Sequence, residues 1–146
     1  MRIFVNPNDS PKIYALLRDI YGQPIGASVD DIQVFSYTVN KIVSGSRVPV
    51  EGFVDVPLDP TICYHETLQA YPDNIQGLST AEKAAKYNVE VFPYKDVSGS
   101  WVSPFTDPNS LYELVVNITY SMDDDALVGA ALIDKSFIVS ISVGAA

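Results

Sequence analysis

The sequence predicts an all-β protein, an antiparallel β-sandwich of about seven to eight strands with one short connector helix near 79–86. Three observations carry that expectation. Ten prolines and eight glycines are spread along 146 residues, where they punctuate short runs of β-branched and aromatic residues. Valine is the commonest residue and nine tyrosines accompany it, a composition suited to pleated, half-buried surfaces. No strand-helix-strand rhythm is visible, which argues against a parallel sheet. The length fits one domain, residues 1–146, large enough to bury a sizeable core.

The elements follow in order. Asn6-Pro7-Asn8-Asp9-Ser10-Pro11 is a turn-rich lead-in, and Lys12 to Asp19 reads as the first clear strand. Tyr21 to Gly26 is a turn. Asp31 to Val39 alternates through Ile32 and Val34, and Val50 to Val56 precedes the turn Pro57-Leu58-Asp59-Pro60. Thr61 to Leu68 reads as a further short strand. Ser79-Thr80-Ala81-Glu82 fits a capping box, and three alanines carry a helix to about Lys86. That helix is too short to stand alone.

Tyr87 to Pro93 alternates again, and Trp101-Val102 belongs to a short strand. Leu111 to Tyr120 places Tyr112, Leu114, Val116, Ile118 and Tyr120 on one face, which must be the buried one. Ser136 to Val143 is the last strand, with Phe137, Val139, Ile141 and Val143 on its apolar face. The two C-terminal strands should pair antiparallel, and their apolar faces should meet in the core.

Charge narrows the function. Eighteen acidic side chains against nine basic ones leave a net charge of −9, which disfavours nucleic acid and anionic membranes as partners. No run of 18 apolar residues offers a membrane span, and no apolar leader follows Met1, so no signal peptide is expected. The single cysteine, Cys63, excludes an intrachain disulfide and a cysteine-based zinc site. Charged residues are 18%, below the roughly 25% of ordinary soluble domains. Either a second surface is buried against other subunits, or the exterior is coated with Ser, Thr and Asn.

Candidate chemistry is sparse. Cys63-Tyr64-His65-Glu66 puts a thiol, the only histidine and a carboxylate within four residues. In a strand, Cys63 and His65 would share a face, yet the rigid base-and-orienter arrangement of a nucleophilic enzyme is not spelled out. Asp123, Asp124 and Asp125 at a loop tip offer hard oxygen ligands for calcium, although EF-hand spacing is absent and a solvated loop is the plain alternative. No cofactor motif is present. Tyr21, Tyr71, Tyr94, Trp101 and Phe105 are the candidate contact residues. They would form a sugar-stacking platform or an interface hot spot, or else cap the ends of the core.

Three patches resemble a known family. Tyr14-Ala15-Leu16-Leu17-Arg18-Asp19-Ile20-Tyr21-Gly22 resembles the Y-A-x-L-R-D-x-x-G opening of small β-sandwich modules in tailed-bacteriophage virion proteins. Glu66-Thr67-Leu68-Gln69 stands where such modules carry E/D-T-L-Q, and Tyr112 to Tyr120 resembles their closing Y-x-L/V-x-V-x-x-x-Y strand. The helix at 79–86 and the final strand are not part of that pattern. The first patch also resembles the opening strand and turn of bacterial immunoglobulin-like domains in adhesins.

The resemblance implies an immunoglobulin-like sandwich and a non-catalytic virion structural protein, either a capsid decoration (cement) protein or a collar or tail component. It implies homo-oligomers, a major capsid or tail protein as partner, and a virion location after synthesis in the host cytoplasm. The alternative is a carbohydrate- or protein-binding module of an adhesin or receptor-binding protein.

Overall fold

The computed structural model describes residues 2–19, 21–73, 79–123 and 130–145. Its strands are β1 (Arg2–Val5), β2 (Ile13–Ala15), β3 (Ile32–Val43), β4 (Ser46–Pro49), β5 (Val56–Pro57), β6 (Tyr64–Gln69), β7 (Tyr87–Val91), β8 (Lys95–Val97), β9 (Ser100–Val102), β10 (Leu111–Asp123) and β11 (Ala130–Val143). Two short helices, α1 (Pro60–Cys63) and α2 (Thr80–Ala84), and one 3₁₀ turn at Val29–Asp31 connect them. The chain is mostly β, as expected. Among the described residues, no helix is long and apolar enough to cross a membrane.

A large sheet runs β1-β11-β10-β3-β4, with β5 also on β3. Its centre is the β10–β11 pair, thirteen residues long and antiparallel from Leu111 opposite Ser142 to Asp123 opposite Ala130. The expected alternation holds from Leu111 to Ser121: Tyr112, Leu114, Val116, Ile118 and Tyr120 are at most 1% exposed. The apolar faces of the two strands are lateral neighbours within this one sheet, with Leu114 beside Val139 and Tyr112 beside Ile141. A smaller antiparallel sheet, β2-β7-β6, contributes Ile13, Val89, Val91 and Tyr64 to the same core. The outward row of β10 and β11 mixes short polar side chains, Asn117, Thr119, Ser136, Ser140 and Ser142, with the apolar Leu111, Val115, Leu132 and Ile138.

Several expected elements differ in extent. The first strand is β1, hidden from periodicity because its four residues gain meaning only by pairing in parallel with the distant β11. The run predicted from Lys12 to Asp19 is strand only over Ile13–Ala15. The run predicted from Val50 to Val56 is broken by left-handed backbone at Gly52 and Asp55, φ +84° and +49°. Phe53 still enters the core from that turn, its carbonyl accepting the Val39 amide at 2.9 Å.

Thr61 to Cys63 is helix instead of strand, because Asp59 caps it by accepting the Thr61 amide and Pro60 starts it. The connector helix forms where expected, and both bonds of the Ser79–Glu82 capping box are made, at 3.1 and 3.2 Å. Tight turns with left-handed residues, Ser44-Gly45 and Ser98-Gly99, join β3 to β4 and β8 to β9.

Candidate functional site

The candidate site grows from aromatic residues that the small sheet and the β8–β9 hairpin bring together. Tyr14 lies opposite Glu90 across the β2–β7 ladder. Its ring packs 4.6 Å from that of Tyr87 and 6.0 Å from that of Tyr71, and Tyr71 and Tyr87 also touch. Beyond them, Phe92 meets Tyr94 edge-on at 5.6 Å, and Tyr94 meets Trp101 at 4.7 Å with the rings perpendicular. The Lys12 ammonium links the two groups, 5.5 Å from the Tyr14 ring centre and 4.4 Å from that of Phe92. The result is a band of aromatic rings that ends in Trp101, which is 69% exposed.

Charge gathers at one point of this band. Glu90 accepts a hydrogen bond from the Tyr87 hydroxyl at 3.2 Å, and lies 3.7 Å from Lys12 and 3.6 Å from His65 Nε2. Burial, then the Glu90 charge, pushes the Tyr87 phenol up to about 12. No spacing rule links residues 12, 65, 87 and 90. Tyr87 and Glu90 share β7, and the neighbouring β2 and β6 segments bring Lys12 and His65 to them, so the sequence offered no signal for the cluster.

Cys63 ends α1 instead of alternating with His65 in a strand, and burial raises its thiol above the ordinary range. Glu66 points elsewhere, accepting the Val29 amide at 2.6 Å.

The expected contact residues divide. Tyr94 and Trp101 pair, and Tyr71 sits half-buried among tyrosines. Tyr21 is 82% exposed in the turn that follows Arg18 and Asp19, apart from the band. Phe105 is not available for contact: it is fully buried, edge-on to Tyr112 at 5.4 Å. Of the calcium candidates, Asp123 closes β10, while Asp124 and Asp125 lie outside the described residues. Among the described residues, no three His, Cys, Asp or Glu side chains gather as a metal site.

A second feature lies at the sheet edge. β1 pairs with β11 only from Ser140 to Val143, so among the described residues the stretch Ala130–Val139 has a ladder partner on one side alone, β10. Leu132 and Ile138 point outward from it, 70% and 48% exposed. No protein-family model, curated protein or solved structure matches the chain, so function is read from these residues and their geometry.

Proposed function

We propose that this chain is a non-catalytic virion structural protein of a tailed bacteriophage, a capsid decoration or collar or tail component with an immunoglobulin-like fold. It works by subunit contacts, as a homo-oligomer seated on a major capsid or tail protein. The observation that carries the contact mechanism is the edge of β11, which among the described residues has β10 as its one ladder partner from Ala130 to Val139. Unpaired N–H and C=O groups on an edge are a template for another strand. Leu132 and Ile138 add apolar area beside them. Lys135 stands half-buried in the inward-facing register of that edge, opposite Ile118. A charge there penalises indiscriminate pairing, so the edge favours a partner that satisfies it.

Two features support the immunoglobulin-like part. The orders β2-β7-β6 and β11-β10-β3-β4 match the B-E-D and G-F-C-C′ order of variable-type domains, with β1 added beside the G equivalent. Tyr112, near the start of the F equivalent, accepts the Asp107 amide on its hydroxyl at 3.2 Å, five residues upstream. That is the geometry of a tyrosine corner. Leu114 stands where antibody domains carry their second cysteine. The phage part rests on the three resembling patches, which fall in β2 and its following turn, β6 and β10.

Light scattering after size exclusion at micromolar concentration, with and without EDTA, tests the mechanism. The expected species is a trimer or larger, unchanged by EDTA and dissociated by Ile138→Lys with the folding transition unaltered. Dependence of the mass on EDTA would hand the contact to the carboxylates of Asp123, Asp124 and Asp125. A monomer that also fails to bind preformed phage shells or tails would overturn the proposal. The second reading, a carbohydrate-binding module, is favoured by one observation, the exposed Trp101 beside Tyr94.

A further inference from the structure

Beside Trp101 lies an open cleft of about 280 Å³, lined by Asn8, Asp9, Ser10, Tyr94, Trp101 and Ser103. Its walls are held firmly. The Asn8 amide donates to the Phe105 carbonyl at 2.8 Å and the Asp9 amide to the Asn6 carbonyl at 3.1 Å. The Ser10 hydroxyl donates to the Pro93 carbonyl at 3.0 Å. The Ser103 hydroxyl donates to the Asp9 carbonyl at 2.7 Å while accepting the Phe105 amide. On the other wall the Ser98-Gly99 turn closes the hairpin that carries Trp101, and Lys95 anchors it 5.3 Å from the Phe53 ring centre. A perpendicular ring pair covers at most one face of the indole, so Trp101 keeps a face for a ligand.

The polar side chains differ from their backbones. Among the described residues, neither the Asn8 side-chain amide nor the Asp9 carboxylate has a hydrogen-bond partner within the chain. A rigid loop thus presents one unengaged donor-and-acceptor group and one unengaged acceptor beside an exposed indole. Two ligand classes fit an aromatic cleft with a carboxylate, a quaternary ammonium and a sugar. The ammonium would use the rings and the charge but would leave Asn8 without a role. A pyranose uses all of them: its C–H face lies on the indole, and neighbouring hydroxyls donate to Asp9 and both donate to and accept from Asn8. The chain's net charge of −9 counts against anionic sugars.

We infer that the Asn8–Asp9–Trp101 cleft is a binding site for a neutral saccharide. The inference is independent of the assembly proposal, since a monomer can bind sugar and an assembly can lack it.

Trp101 is the only tryptophan in the chain, so indole fluorescence, excited beyond the absorption of the tyrosines, reports on the cleft. The full chain is titrated with methyl glycosides of glucose, mannose and galactose, with chitobiose, and with choline as the competing probe. The expected result is a saturable change at millimolar concentrations of at least one glycoside or of chitobiose. Calorimetry is expected to lose that binding at least tenfold in Asp9→Ala and in Trp101→Ala, both exposed positions where folding should persist. Asn8 has φ +69°, so Asn8→Gly removes its amide while keeping a backbone that glycine adopts freely. This variant should bind several-fold more weakly with unchanged thermal unfolding. Saturation by choline alone, or by none of the probes, would overturn the inference.

Discussion

The β10–β11 hairpin and the β2–β7 pair face the same core but are held in different ways. In the hairpin, strict alternation buries every second residue from Tyr112 to Tyr120, and thirteen paired positions supply the backbone bonds. In the small sheet, β2 pairs with β7 over three residues only. Beyond that, the Asn88 side chain takes over: its carbonyl oxygen accepts the Leu17 amide at 2.8 Å, and its NH₂ donates to the Leu17 carbonyl at 3.1 Å. One layer is built by a repeating pattern, the other by single side chains in single places. A patterned layer should lose stability in proportion to buried volume. A layer built on unique contacts should lose it through unmet hydrogen bonds.

The largest expected effect strikes both layers. Tyr37 in the large sheet, and Tyr64 and Tyr87 in the small one, all have phenols pushed up from 10.0 to about 12, first by burial. A raised folded value means the native state holds these protons more tightly than the unfolded chain does. Their stabilisation is therefore fully present below pH 10 and is lost as pH rises towards 12. On the order of 2 kcal/mol apiece is at stake, so urea midpoints should fall steeply across that window. If all nine tyrosines ionised near pH 10 with the fold intact, the burial of these three rings would be refuted. Next in size, Leu114→Ala removes a fully buried side chain from the centre of the hairpin. It should cost about 3 kcal/mol in denaturant unfolding. A loss below about 1 kcal/mol would mean the patterned core collapses around the gap.

The same contrast explains what was legible beforehand. The buried face of β10 could be read residue by residue, because alternation is a property of the strand itself. The capping box at Ser79 was equally local, its two bonds spanning three residues. The edge strand β1 was not legible, since Arg2–Val5 becomes a strand only against Ser140–Val143. The helix at Pro60–Cys63 was missed because the Asp59 cap outweighs a β-rich composition over four residues.

For the candidate site, Tyr94 and Trp101 were named but not their partners. Asn8, Asp9 and Ser103 join them through long-range bonds such as Ser103 to Asp9. Phe105 shows the opposite failure: an aromatic residue among loop residues looked available, but it is a core residue placed by the same segment.

The smallest effect of the three tests the layer built on unique contacts. Asn88 is 1% exposed and holds both backbone groups of Leu17. Asn88→Ala deletes these bonds unequally. The Leu17 carbonyl keeps the Ile25 amide, which donates to it at 3.1 Å, whereas the Leu17 N–H is left with no partner. A buried orphan donor and a small cavity together cost about 2 kcal/mol, less than Leu114→Ala, which removes the larger side-chain volume. Hydrogen exchange separates the two variants further. In Asn88→Ala, the Leu17 and Ile25 amides should exchange by local opening while β10 and β11 stay protected. In Leu114→Ala, protection should fall across both sheets together. Uniform loss of protection in Asn88→Ala would mean that the small sheet opens only when the whole molecule does, and the two layers would then be one cooperative unit.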